Sequence, residues 1–439
     1  MDGQGRQVVK TDAQILRLAV PSIVSNITVP LLGLVDLAIV GHMGDTAYIG
    51  AIAVGSMIFN VMYWLFGFLR MGTSGLTSQA LGARDLPRVI QLLLLSMLVS
   101  LSVAGLLVVL QYPLRCISVM LMHPSATVGQ LVHTYFNICI WGAPAMLGLY
   151  SVTGWFIGMQ NTRIPMWVAM MQNVVNVLVS LTLVYGCGMK VEGVALGTFT
   201  AQWFGLFMAL GLWWRYYRRL AVYAKGRSMR LLPSLRRFFT VNRDIFLRTL
   251  FLVAVNLFFT SAGARQGDLI LSVNTLLLTL FTLTSFVMDG FAYAGEALGG
   301  RCYGAANRNA FEETKRRLFF WGVLVALLFT CAFAFGGESL LGLLTDETNV
   351  VEAAMSYLPW AVAIPFVGMS AFLYDGLFIG MTATCGMLIS SAISACCFFS
   401  AFYLLFGLIG NHALWLALLL YLGMRGAIQA YYMRTYLQF

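Results

Sequence analysis

The chain has 439 residues, of which 60% are hydrophobic and only 10% charged, with a formal net charge of +10. A soluble globular protein carries about 25% charged residues, so this composition cannot clothe a water-facing surface. The excess of basic residues sits in short stretches between apolar runs, which reads as membrane topology and not as a nucleic-acid-binding surface.

A membrane span needs roughly 20 predominantly apolar residues, and such runs recur along the whole chain. Gln91–Leu110, Leu318–Phe335 and Ser394–Ile409 hold no charge at all. The pattern predicts an all-α integral membrane protein with twelve transmembrane helices. In the first half they fall near 15–41, 48–71, 89–111, 131–158, 165–187 and 193–217. In the second half they fall near 244–264, 270–298, 317–337, 353–380, 386–408 and 412–434. The expected organisation is an N-terminal six-helix bundle (1–217), a basic connector (218–243) and a C-terminal six-helix bundle (244–439).

The connector holds Arg218, Arg219, Lys225, Arg227, Arg230, Arg236, Arg237 and Arg243, and the stretch after span eight adds Arg301, Arg308, Lys315 and Arg316. The opposite side carries few cations, and 338–352 is purely acidic. The positive-inside rule therefore predicts two cytoplasmic termini, with 72–88 and 299–316 as inner loops.

Short words repeat at a nearly constant offset. Phe156-Ile-Gly-Met159 recurs as Phe378-Ile-Gly-Met381, and Gly82-Ala83 as Gly304-Ala305, each 222 positions later. Gly44-Asp45 recurs as Gly267-Asp268, and Pro144 is matched by Pro365. The offset contains six spans, an even number, so the copies enter the membrane in the same direction. Such parallel repeats predict two bundles related by a pseudo-two-fold axis along the membrane normal. A transporter that rocks between two faces, or a channel, would use this symmetry.

Of seventeen acidic residues, only Asp36, Asp289, Glu296 and Asp375 fall well inside spans. An ionisable side chain there costs at least about 2.5–3.5 kcal/mol, so each is a functional candidate by default. Asp36 shares its span with Pro21 and Pro30, two points where a helix can bend. It is read as a proton or cation switch, against the alternative of an Asp hydrogen-bonded for structure alone. Asn173, Asn176 and Ser180 share one face of span five. Two roles stay open for them: sharing the ion with Asp36, or interhelical packing.

Asp289 and Glu296 lie two turns apart on span eight, and Asp375 on span ten, with Arg248 and Arg301 as candidate partners. A structural ion-pair network is preferred there over a second proton site or a part of the substrate path. The cavity candidates are Phe59, Tyr63, Trp64, Trp155, Met166, Met170 and Met171, since methionine adapts and aromatic rings attract cations. Packing is the alternative for each. His42, His123, His133 and His412 form no metal-ligand pattern, and no nucleophile, phosphate-loop or zinc signature is present. Neither an enzyme nor a metal or organic cofactor is expected; a proton or sodium would be the coupling ion.

The run Pro21-x14-Asp36-x4-Gly41 resembles the first helix of the multidrug and toxic compound extrusion (MATE) transporters, and within them the DinF branch. The same resemblance is carried by Leu69–Ala83, Met288–Ala297, Tyr374–Gly380 and Asn411–Ala417, and it covers essentially the whole chain. It implies a monomeric secondary antiporter of the bacterial inner membrane, surrounded by lipid, that exports amphipathic or cationic small molecules against a proton or sodium gradient. Asp36 then matches the first-helix acid of the coupling site, and Asn176 the fifth-helix asparagine.

Two departures matter. Ser180 stands where many relatives carry a second Asp, which favours a proton over sodium, because a hard cation prefers several oxygen ligands including carboxylates. Asn256 stands in span seven where other branches carry an acid. The alternative from related superfamilies is a flippase for a lipid-linked precursor. It would want cationic span interiors, and few cations are seen there.

Overall fold

The computed structural model describes residues 2–41, 46–122, 124–224 and 231–436, without the side chains of 2–8, 29–32, 34, 37, 224 and 231–234. His42, Gly44, Asp45, His123, Lys225, Arg227 and Arg230 therefore lie outside the described residues, as does the side chain of Pro30. Among the described residues the chain is helical with no strand.

The first half runs α1 (Asp2–Gly41), α2 (Thr46–Leu65), α3 (Phe68–Gly82), α4 (Leu86–Val109), α5 (Gln111–Met122), α6 (Ala126–Cys139), α7 (Ala143–Gly158), α8 (Arg163–Leu181) and α9 (Val191–Tyr217). The second runs α10 (Leu231–Ala264), α11 (Asp268–Gly304), α12 (Arg308–Leu344), α13 (Thr348–Met355), α14 (Leu358–Met381), α15 (Thr384–Ile409) and α16 (Asn411–Tyr436). Eleven helical segments among the described residues are long and apolar enough to cross a membrane. The first predicted span lies in α1, whose side chains are described only in part.

The two expected inner loops are a correction. Most of 72–88 is the helix α3, and 299–316 is helical except for a break at 305–307. Polarity misled the reading because Thr73, Ser74, Thr77 and Ser78 are fully buried rather than exposed. Thr73 Oγ donates to the Leu69 carbonyl at 2.6 Å and Ser78 Oγ to the Gly75 carbonyl at 2.9 Å. Small side chains of this kind let a second helix approach closely.

That second helix is α7. A Cβ at Gly154 would sit 2.3 Å from the Arg70 carbonyl oxygen, and one at Gly158 would sit 2.8 Å from that of Ser74. The same arithmetic holds 222 residues later. A Cβ at Gly376 would sit 2.2 Å from the Ala292 carbonyl oxygen, and one at Gly380 would sit 2.6 Å from that of Glu296. The repeated Phe-Ile-Gly-Met word is thus a helix crossing built twice, α3 on α7 and α11 on α14.

Turn geometry repeats as well. The four non-glycine residues with positive φ are Arg84, Gln160, Ala306 and Thr382, among the described residues. They form two pairs at the same offset, 84 with 306 and 160 with 382. Each ends a helix with the pair of backbone bonds that caps a left-handed C-terminus. In the first pair, Asp85 N–H reaches the Ala80 carbonyl at 2.9 Å and Asn307 N–H that of Cys302 at 3.0 Å. Asp85 and Asn307 then cap the next helices, accepting from the N–H of Arg88 and Ala310.

Packing divides the chain into a unit of residues 24–238 and a unit of residues 1–23 with 239–439. The expected boundary at 217 followed the basic connector. Packing instead assigns the start of α1 to the later unit. The 24–238 unit has one apolar cluster around Ile52, Phe59, Phe136 and Val194 and another around Leu93, Trp155, Phe156 and Leu206. The other unit is centred on Phe259, Leu277, Phe398 and Trp415.

Candidate functional site

Asp36 lies near the end of α1 in the 24–238 unit and is only 4% exposed. Its helix neighbours Val35, Ile39 and Val40 pack in the apolar cluster with Ile52, Phe59 and Tyr135. Among the described residues, Asp36 Oδ1 has no hydrogen-bond partner and the side chain joins no ion pair. It is within electrostatic reach of Tyr135 and Cys139 on α6. The Tyr135 hydroxyl pairs with Ser56 Oγ at 3.3 Å and Cys139 Sγ donates to the Ala195 carbonyl at 3.7 Å, so both groups have partners of their own.

The polar face of α8 is divided. Asn173 Nδ2 donates to the Thr28 carbonyl on α1 at 2.7 Å, two turns before Asp36. Asn176 is fully buried, and its Nδ2 donates to Thr198 Oγ on α9 at 3.2 Å. Ser180 packs against Gly197, where a Cβ would come within 2.0 Å of the Ser180 hydroxyl. Asn176 Oδ1 and Ser180 Oγ are buried with no partner among the described residues. No hydrogen bond among the described residues joins these three side chains to Asp36. Among the described residues of the same unit, Ser74 Oγ and Thr77 Oγ1 are also buried without a donor, so Asp36 is set apart by its carboxyl and not by lacking a partner alone. Pro21 is buried within α1.

Asp375 is surrounded differently. Its Oδ2 accepts from the guanidinium groups of Arg248 and Arg425, and its Oδ1 accepts from Gln429 Nε2 at 2.6 Å. Arg248, Arg425 and Gln429 are 5%, 3% and 0% exposed, so the span interiors hold more fixed cation than the sequence suggested. Arg248 and Asp375, two of the residues expected to form a network, are bonded directly. Arg425 and Gln429 were missed, although Arg425 is a charge within an apolar run, the very signal used for the acids. Glu296 is buried on α11 and Asp289 is half-buried. Asn256 is exposed, and its carbonyl accepts from Thr260 at 3.2 Å, outside the Asp375 cluster.

The cavity candidates separate by packing. Trp155 is wholly buried, donates from Nε1 to the Val89 carbonyl at 2.9 Å and meets the rings of Phe156 and Tyr217 at 5.6 and 5.1 Å. It belongs to the core, because its one polar atom is consumed by a neighbouring helix. Phe59 and Tyr63 also lie in the core, with ring centroids 5.7 Å apart. Trp64 is 44% exposed, and Met166, Met170 and Met171 are half-buried.

The MatE family model matches residues 21–182 and 245–422, two blocks that follow the internal duplication. The chain is 36% identical to the DNA damage-inducible protein F of Escherichia coli (strain K12) over 416 residues, covering 95% of this chain and 90% of that protein. It is 26% identical over 252 residues to the multidrug resistance protein MdtK of Klebsiella pneumoniae (strain 342), covering 56% of this chain and 53% of that one. Among solved structures, it superimposes on a MATE protein in the bent conformation with a TM-score of 0.88, at 17% identity over 100% of this chain and 98% of the other. A MATE protein in the straight conformation gives 0.85 at 18% identity, over 97% and 96%. Matched along both halves, and more than one-third identical to a relative over nearly its full length, the chain belongs to the MatE family, transporters and not enzymes, on its DinF-like branch.

Proposed function

We propose that this chain is a secondary antiporter that exports amphipathic or cationic small molecules in exchange for protons, with Asp36 as the coupling carboxyl. Relatives named as multidrug resistance and multidrug export proteins support the substrate class. The observation that carries the coupling role is the state of Asp36: buried in an apolar cluster, with Oδ1 unpartnered and no described cation beside it. A carboxyl so placed pays for its charge and is relieved by a proton, whereas one held by arginines is not.

A proton is favoured over sodium because the polar side chains of α8 add no second carboxylate. The charge pattern supports insertion in the bacterial inner membrane with both termini cytoplasmic, and the chain is taken as a monomer.

The test uses proteoliposomes carrying the purified chain, with ethidium as the transported probe and proton and sodium gradients imposed separately. Uptake is expected to follow the proton gradient and collapse with a protonophore. Asp36→Asn is expected to lose gradient-driven uptake by at least about tenfold while keeping its thermal unfolding midpoint, since the substitution removes charge but not volume. Wild-type uptake by that variant removes Asp36 from the mechanism.

A further inference from the structure

The helix that carries Asp36 is held at its start by a second carboxylate. Arg317 on α12 donates from Nε to Asp12 Oδ1 at 2.7 Å and from its Nη2 to Asp12 Oδ2, forming a two-pronged pair. Trp321, one turn further along α12, donates from Nε1 to the same Oδ1 at 3.0 Å. The Arg317 guanidinium also lies 4.6 Å from the Phe320 ring centroid, which fixes its plane. Paired donors and a stacked guanidinium give this contact a defined geometry, unlike most ion pairs near water.

Above that clamp, α11 seats directly on the backbone of α1. A Cβ at Gly290 would meet Ile23 Cγ1 at 2.3 Å and the Ala19 carbonyl oxygen at 3.1 Å. Ile23 is also the last residue of α1 that clusters with 239–439. From Val24 onward the helix clusters with the 24–238 unit, where Asn173 holds the Thr28 carbonyl and the Tyr185 hydroxyl donates to the Ile39 carbonyl at 3.2 Å. Between these attachments the helix is weakened locally. Thr28 Oγ donates back to the carbonyls of both Val24 and Ser25, at 3.0 and 2.8 Å, a contact that bends helices. Pro21 removes a backbone donor one turn earlier.

We propose that Asp12, through Arg317 and Trp321, is a positioning residue for the coupling carboxyl. By fixing the start of α1, it makes the stretch from Pro21 to Thr28 the part that yields when Asp36 changes charge. This rests on the reading of Asp36 given above. The 24 residues from Asp12 to Asp36 span about 36 Å of helix. Without a clamp, a stiff rod of that length answers a local change by sliding as a whole. With the clamp, the same change becomes a bend at the weakened stretch. Asp12 itself does not follow the proton. The Arg317 guanidinium holds its carboxyl below the ordinary carboxylate range, so the pair is intact at neutral pH and is lost only as acid titrates it beneath that range.

The experiment measures distances between spin labels in the full chain in nanodiscs, at neutral and mildly acidic pH, with the other native cysteines replaced. One pair, Val9→Cys with Asn309→Cys, reports on the clamp; a second, Ala38→Cys with native Cys187, reports on α1 near Asp36. In the otherwise native chain, acidification is expected to shift the second distance and leave the first unchanged. In Asp12→Ala the first distance should become pH-sensitive and the shift of the second should shrink by about twofold or more. Asp12→Glu should preserve the native pattern, and the exchange Asp12→Arg with Arg317→Asp should recover it. Trp321→Phe, which removes one donor and keeps an aromatic ring, leaves the Arg317 pair in place and should fall between. An unchanged acid-driven shift in Asp12→Ala overturns the proposal alone. A shift that persists in Asp36→Asn overturns the coupling role of Asp36, and the proposal with it.

Discussion

Asp36 and Asp375 are buried alike, at 4% and 5% exposure, and differ in what surrounds them. Two guanidinium groups and an amide hold Asp375, while Asp36 Oδ1 has no partner among the described residues. Neutralising Asp375 strands two buried arginines, so Asp375→Asn is expected to destabilise the protein by about 3–5 kcal/mol, whereas Asp36→Asn should cost little or stabilise. Chemical denaturation in detergent, followed by circular dichroism, checks the contrast; equal stability of the two variants would erase it. The rule that singles out charges in apolar runs finds both acids from sequence. It does not separate them, because the difference lies in Arg425 and Gln429, 50 and 54 residues away from Asp375. Asp12 escapes the same rule by lying just outside the first predicted span.

At the scale of elements, the spans were legible because apolar length is written directly in the residues. Their ends were not. Thr73 to Ser78 reads as a loop by polarity, yet it is a buried helical face of small side chains, two of whose hydroxyls, those of Thr73 and Ser78, bond to their own helix. The glycines facing that surface carried the missing information. Gly154 and Gly376 each stand against a backbone carbonyl that cannot move aside, so Gly154→Ala and Gly376→Ala should each destabilise by about 1–3 kcal/mol through overpacking. Gly105 on α4 and Gly211 on α9 have open space around them. Their alanine variants should be neutral or up to about 1 kcal/mol more stable, from helix propensity. Thermal melts of the four variants in one detergent would test this; matching losses at all four would mean that close approach is not what the repeated word encodes.

Across the whole molecule, the duplication is strict where helices cross and turn, and abandoned where charge is buried. Adding 222 or 223 to position 36 gives Phe258 or Phe259, so the acid of α1 has no partner in the later half. Subtracting 222 from positions 248, 375 and 425 gives Asn26, Thr153 and Trp203, so the arginine-held cluster has no partner in the earlier half. Two copies of one scaffold have thus diverged, one carrying an acid whose Oδ1 has no partner among the described residues and the other an acid held by two arginines. This asymmetry bears on how many protons drive a cycle. Interacting acids lose their protons in two macroscopic steps, while a lone one titrates once. With both Asp375 oxygens already accepting from Arg248, Arg425 and Gln429, and Asp36 taken as the coupling carboxyl, export measured against pH at a fixed probe concentration is expected to follow one transition with a slope of about one proton. In Asp36→Asn that transition should vanish rather than move. Two resolved steps in the wild type, with one surviving in Asp36→Asn, would instead locate a second working acid in the later unit and make Glu296 the residue to substitute next.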